Sequence, residues 1–317
     1  MKHLKYALLV ILIGIGILDF VYVFFRRGYN SYYKFEQTRL AEIMNGNTPY
    51  DAVFIGSSRT LYHINPKIID SVMGVNSFNA GMDGANLLEI SLILKCYLVN
   101  HPAPKYVVAD FSTQAFDIEF QPFFNPNIYF PYLNNKIVFN ALKPYKHTTL
   151  LRYLPFLQIT ECDDFLREGA FLGLTGQQKP LAPHYKGYLE SGKDTLPLPF
   201  KVKYLKTEYL IEKQGLDLLL EIINTCKKHN IKLFITYSPV YKKKDEKMNP
   251  AFFPTLRAIC DSTRVPFLNY RSIGLTNNNR LFRDEIHLNR YGADIFSGMI
   301  ARDIHRITSL GKPKVRE

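Results

Sequence analysis

Cysteine and glycine are scarce in this chain, with four Cys and 18 Gly among 317 residues. That excludes a disulfide-dense mini-protein and a collagen-like repeat. The cysteines (Cys96, Cys162, Cys226, Cys260) have no metal-binding spacing. Cys96 and Cys226 fall in helical patterns and read as small core residues, so one disulfide is allowed and none is required. Tryptophan is absent, yet there are 21 Tyr and 23 Phe. Disordered chains are poor in aromatics, so that class is excluded too. Acidic residues are outnumbered, 28 Asp and Glu against 40 Lys and Arg, for a formal charge of +12. The excess does not point to nucleic acid: the basic residues are scattered, and no zinc-finger, RNP or Rossmann-type pattern organises them. A basic surface suits an anionic membrane or envelope polymer equally well. The length allows one large domain with a real core, or two modest ones.

One long run is almost free of charge. Lys2 and Lys5 precede Tyr6–Phe25, which is interrupted only by Asp19. At about 1.5 Å per residue this stretch spans a bilayer core of roughly 30 Å. Ala7–Leu18 alone would suit a signal-peptide core. No small-residue cleavage site comes after it, only bulky Phe20–Phe25 and then Arg26-Arg27. The expectation is an uncleaved signal anchor at residues 1–27, in the bilayer through residues 6–25. Residues 28–49 then form a juxtamembrane connector with a short helix, Phe35–Met44. Basic residues flank both ends of the run, so charge alone does not set the orientation.

Residues 50–317 read as an α/β domain. Asp51–Gly56, Tyr106–Phe111, Lys232–Tyr237 and Pro266–Tyr270 are short apolar runs ending in turns, the pattern of buried strands. Between them lie helical segments. One starts at Asn65-Pro66, one covers roughly Ala85–Val99, and one is an amphipathic helix over Thr207–His229. Asn289 caps a last helix with Ile295, Phe296, Met299, Ile300 and Ile304 on one side. Strands alternating with helices predict a three-layer α/β/α sandwich around a mainly parallel sheet, flavodoxin-like in class. Residues 116–205 break the rhythm. They are rich in Phe, Tyr and Pro, and read as a structured insertion, helical within Asn140–Phe156.

Two segments carry chemistry. Phe54-Ile-Gly56-Ser57-Ser58-Arg59 is a strand running into a tight turn that leaves Ser at its end. Arg283-Asp284-Glu285-Ile286-His287 lies beyond the fourth strand, before the last helix. In an open parallel sheet, ligands bind beyond the carboxyl ends of the strands. A serine nucleophile needs a base, and the base needs an orienting carboxylate. Taken singly, Ser after Gly is ordinary turn chemistry, and Asp284 is a plausible helix-end charge. Their joint occurrence at strand ends is what points to catalysis. His63 reads as local packing, Arg59 as a brace of the turn by a salt bridge, and His184 and Lys242-Lys243-Lys244 as solvated loop residues.

The two segments resemble the first and last sequence blocks of the SGNH/GDSL hydrolase superfamily, and most of all its membrane-anchored envelope branch. The resemblance implies Ser58 as nucleophile, with Ser57 in place of the family's Asp, and Asp284 and His287 completing the triad. Asn79-Ala-Gly81 is similar to the second block, which implies an oxyanion hole of Ser58 N–H and Gly81 N–H. The third block, Gly-x-Asn-Asp, is absent: Asp110-Phe-Ser112-Thr-Gln114 stands there, with Ser112 and Gln114 the nearest replacements for the missing Asn. In function, the resemblance implies an esterase or O-acyltransferase acting on an envelope glycan or lipid-linked polymer. Such an enzyme would be single-pass in a bacterial cytoplasmic membrane with its domain outside, would need no cofactor or metal, and would have a polytopic membrane acyltransferase as partner. The alternative is a catalytically inactive scaffold of an envelope-polymer assembly complex.

Overall fold

The structure is a computed structural model that describes residues 2–31, 37–116, 123–162, 164–177, 184–197, 211–241 and 250–309. The expected Lys242–Lys244 loop, and the part of the expected Thr207–His229 helix before Ile211, lie outside these residues.

Helix α1 (Lys2–Ser31) and α2 (Gln37–Asn45) come first. Strand β1 (Ala52–Gly56) leads into α3 (Ser58–His63) and α4 (Pro66–Met73), then β2 (Ser77–Asn79), α5 (Leu87–Asn100) and β3 (Tyr106–Asp110). The middle of the chain holds α6 (Lys136–Leu142), α7 (Thr148–Tyr153), α8 (Gln158–Glu161) and α9 (Asp164–Thr175). A small hairpin, β4 (His184–Tyr185) and β5 (Tyr188–Leu189), comes next. The last elements are α10 (Lys213–Lys228), β6 (Lys232–Tyr237), α11 (Phe252–Thr263), β7 (Phe267–Asn269) and α12 (Arg290–Ser309).

Contacts divide the chain into two compact units. Residues 1–46 and 125–181 form one; residues 47–124 and 182–317 form the other. In the first, α1 packs on α9, the turn Pro155–Leu157 and α2. Tyr29, Cys162 and Ala170 make its small core, with Phe25 against it. Gly28 permits the approach, since a Cβ there would lie 1.9 Å from the Ala170 carbonyl oxygen.

The second unit is a five-stranded parallel sheet in the order β2-β1-β3-β6-β7. Strand β1 is buried on both faces, as a central parallel strand must be, and its unbroken Ala-Val-Phe-Ile run is what permits this. Helices α5 and α10 pack together on the sheet. On the opposite face α12 packs on α3 and α4, where Phe54, Val108 and Phe234 meet Phe296, Ile300 and Ile304. This is the expected α/β/α sandwich.

Local sequence sets the helix ends. Asn65 caps α4 through Lys67 N–H, with Pro66 in the first turn, and Gly74 closes it at φ 64°. Helix α5 starts at Leu87, two residues later than expected, because the Asn86 side chain accepts the Leu88 and Glu89 amides. Asn289 caps α12 as expected, its Oδ1 accepting the Gly292 N–H at 3.1 Å.

The sheet has one more strand than the expected four. Ser77–Asn79 pairs with β1 at the edge. Three residues of mixed polarity show no period of their own. The hairpin turn, Lys186 and Gly187 both at positive φ, presents the Lys186 carbonyl to the Asn79 N–H at 2.9 Å. All four cysteines are buried, and no disulfide joins them.

Candidate active site

The strand order reverses between β1 and β3. Chains leaving β1 and β3 at that switch point diverge and open a crevice at the strand ends, the usual ligand position in such sheets. Ser58 stands directly beyond β1. Gly56 makes the turn possible: its φ is 155°, and a Cβ there would lie 2.1 Å from Thr60 Oγ1 and 2.8 Å from the Asp110 carbonyl oxygen. Ser58 is the first residue of α3, where backbone N–H groups lack intrahelical acceptors.

The structure brings the three expected residues together. Ser58 Oγ lies 2.9 Å from His287 Nε2. His287 Nδ1 lies 2.9 Å from Asp284 Oδ2 and 3.0 Å from Oδ1. An ionised carboxylate only accepts, so Nδ1 carries the proton and Nε2 is left to accept from the Ser58 hydroxyl. Asp284 Oδ1 also accepts the Ile286 and His287 amides, at 3.0 and 2.8 Å. Burial pushes the Asp284 carboxyl up, but the His287 ring and these two amides outweigh it and hold the group well below the usual carboxylate range.

The loop 283–287 is braced from three sides. Arg283 N–H donates to the His287 carbonyl at 2.9 Å, and Phe282 and Leu288 form an antiparallel bridge. Tyr241 N–H, beyond β6, donates to the Glu285 carbonyl at 3.0 Å. His63, fully buried at the end of α3, accepts the Leu288 N–H at 3.0 Å through Nε2. The Tyr62 ring stands edge-to-face with His287, centroids 5.4 Å apart. The Arg283 guanidinium lies 4.7 Å over Tyr62, with its Nε 3.4 Å from Asp284.

Beneath the serine turn, Arg59 does act as a brace. Its Nη2 lies 3.2 Å from Asp110 Oδ2, both side chains almost fully buried, and its Nη1 donates to the Ser238 carbonyl. Asp110 Oδ1 accepts the Ser238 N–H at 2.7 Å, and the Arg59 guanidinium sits 4.4 Å over Tyr237. The ends of β1, β3 and β6 are thereby tied together under Ser58.

Gly81 departs from expectation. Its N–H is committed to Asn79 Oδ1 at 2.9 Å, and its Cα is pressed so close that a Cβ would meet the Leu61 nitrogen at 2.5 Å. The amide therefore has no free hydrogen for an oxyanion. What sequence reasoning missed is the role of Asn79 itself. Its Nδ2 donates to the Thr60 and Ile64 carbonyls, each at 2.7 Å, and clamps the end of the helix that carries Ser58. No local signal separates such an asparagine from an ordinary turn residue. Ser112 and Gln114, beyond β3, make no hydrogen bond to Ser58 or His287 among the described residues. His184 falls in β4; its side chain lies outside the described residues. Among the described residues, no group of three or more His, Cys, Asp or Glu is placed to hold a metal.

No family model matches the chain, and no curated protein matches it. Among solved structures it is similar to a Bacteroides fragilis protein assigned as an acylhydrolase, with 13% identity and a TM-score of 0.42, over 81% of this chain and 86% of that one. It is also similar to a GDSL-like lipase from Bacteroides thetaiotaomicron, with 14% identity and a TM-score of 0.40, over 81% and 88%. Neither likeness bears on the role of any residue here.

Proposed function

We propose that this chain is an SGNH/GDSL-type serine acyl hydrolase or O-acyltransferase. The observation that carries the reading is the linked pair of contacts Ser58 Oγ to His287 Nε2 and His287 Nδ1 to Asp284. As the Ser58 proton passes to Nε2, Oγ bonds to the ester carbonyl carbon and the π pair moves onto oxygen. The tetrahedral species collapses, the C–O bond to the leaving alcohol breaks, and His287 returns the proton to that alkoxide. Water or a sugar hydroxyl then takes the acyl group by the same steps in reverse.

The oxyanion faces Ser58 N–H, which meets no acceptor among the described residues. For a second donor, the amides of the 80–85 loop can be taken in turn. Ala80, Gly81, Met82 and Ala85 already donate to Phe54, Asn79, Gly56 and Met82. The half-buried Gly84, at φ 65° and packed beside the Phe124 ring, makes no N–H hydrogen bond among the described residues, and we place the second donor there.

Helix α1 is long and apolar enough to cross a membrane. We read it as a single-pass anchor in a bacterial cytoplasmic membrane, with the rest of the chain outside. The substrate class is an acyl ester of a cell-envelope glycan or lipid-linked polymer, and the partner a polytopic membrane acyltransferase. A second reading, an inactive scaffold of an envelope-polymer complex, is favoured by the committed Gly81 amide and the absent third-block Asn. Losing one oxyanion donor costs about two to three orders of magnitude in rate.

Full-length wild type, Ser57→Ala, Ser58→Ala and His287→Ala, treated with a fluorophosphonate probe and an aryl acetate, separate the two. Labelling and turnover are expected in wild type and Ser57→Ala, and lost in Ser58→Ala and His287→Ala. A folded wild type that is never labelled moves the reading to the scaffold.

A further inference from the structure

The unit built from residues 1–46 and 125–181 begins to enclose α1 at a definite level. From His3 to Val21 the side chains of α1 are exposed or half-exposed, and Tyr22 is the first buried one. Of that stretch, Tyr6–Val21 belongs to the apolar run Tyr6–Phe25; at about 1.5 Å per residue it covers about 24 Å, most of a hydrocarbon core of roughly 30 Å. Protein therefore first touches the helix at Tyr22, one turn before the Phe25 end of that run, with Val23 and Phe24 still exposed beside it.

The segments at that level are α7, the turn Pro155–Leu157 and α8. Tyr22 Oη donates to Gln158 Oε1 at 2.5 Å, and Gln158 Nε2 donates to the Leu151 carbonyl at 2.8 Å. One side chain thus ties the end of the bare stretch to α7, and the turn packs against α1. Helix α9 meets α1 further along, at Gly28.

The surface presented there is apolar and cationic. Leu150 is 46% exposed and Tyr153 72%, with Leu154 and Phe156 half-exposed beside them. Lys143 and Lys146 are exposed immediately before α7. No acidic residue occurs between Glu119 and Glu161. Large exposed apolar and aromatic groups flanked by lysines, with the exposed Glu161 at the far end of α8 as the nearest acid in these segments, match the headgroup region of an anionic membrane.

We propose that α7 and the turn after it rest on the bilayer surface. Leu150 and Tyr153 enter the boundary between headgroups and acyl chains, and Lys143 and Lys146 face anionic headgroups. This rests on the reading of α1 as a membrane span. The occupant is lipid rather than a protein partner, because the length of the bare helix sets the height of this face. The first unit is then a seat held at fixed depth, not a body on a loose tether.

The test uses the full chain in vesicles of phosphatidylcholine and phosphatidylglycerol. Ile13→Cys and Tyr153→Cys are each labelled with an environment-sensitive fluorophore, and wild type, whose cysteines are buried, is treated identically as the blank. The quenchers are lipids with a nitroxide near the headgroup or deep in the chain, and aqueous iodide. The Tyr153→Cys label should be blue-shifted, lose most of its emission to the shallow nitroxide and resist iodide. The Ile13→Cys label should respond most to the deep nitroxide. Quenching at 13 together with an iodide-accessible, unquenched label at 153 overturns the seat and leaves the anchor standing. No lipid quenching at either site overturns the anchor itself. Lys143→Glu with Lys146→Glu should shift the Tyr153→Cys emission to the red; no shift removes the headgroup contact.

Discussion

Removing the Asn79 side chain is the sharpest probe of how α3 is held. Asn79 Nδ2 donates to the Thr60 and Ile64 carbonyls, and its Oδ1 accepts the Gly81 amide, all in the buried interior. The Thr60 carbonyl keeps a second partner, the Ile64 amide. Asn79→Ala therefore strands two buried groups outright, Ile64 C=O and Gly81 N–H. At about 1–3 kcal/mol each the loss is about 4 kcal/mol. For a chain of this size, with about 2–4 °C per kcal/mol, the melting temperature should fall by about 8–16 °C. Asn79→Asp keeps the acceptor but turns a carboxylate oxygen toward two carbonyls, so it should be no more stable than Asn79→Ala. Thermal melts of the full-length proteins followed by circular dichroism read both, and fluorophosphonate labelling of Ser58 should weaken in parallel as α3 loosens. An Asn79→Ala melt within about 2 °C of wild type would refute the clamp. A wild-type-like Asn79→Asp would show that the donors do not matter.

Three further outcomes are expected. Burial, with the nearby His287 and Arg59, holds His63 well below 6.5 in the folded chain, so the unfolded chain binds the extra proton below that pH. Its contribution to stability is complete above about pH 6.5 and falls as the pH drops, by up to about 1.4 kcal/mol per unit. Melts at pH 7.5 and 5.5 should therefore diverge more for wild type than for His63→Gln; equal slopes would contradict this. Asp284→Asn should leave the fold intact but allow the wrong His287 tautomer, lowering aryl-ester kcat by about four orders of magnitude; a loss under about tenfold would deny Asp284 its orienting role. Arg59→Met leaves the buried Asp110 carboxylate uncompensated and should cost about 3–5 kcal/mol. Adding Asp110→Asn should restore part of that in urea melts, and strictly additive losses would argue against a coupled pair.

Much of the fold is legible locally. Strands β1, β3 and β6 are continuous apolar runs, and only burial on both faces accommodates such runs. The helix caps Asn65, Asn86 and Asn289 act on amides two or three residues away. The Asp284 and His287 spacing works the same way, since the carboxylate accepts the His287 amide within a single turn of chain. These features depend on neighbours in sequence, so a pattern reveals them. The edge strand Ser77–Asn79 does not, because its strand character comes from pairing with β1.

The amino-acid order alone determined the alternation of elements, the apolar N-terminal helix, the glycine-forced turn before Ser58 and the Asp284–His287 unit. Only the tertiary structure decided which amides remain open near Ser58. The Gly81 N–H is consumed by a side chain two residues away that must also reach α3, and this requires β2 to lie beside β1. The same holds for His63 bracing Leu288, 225 residues apart, and for Tyr22 meeting Gln158, 136 apart. Contacts across such distances leave no local period or spacing, because they exist only once the chain has closed on itself.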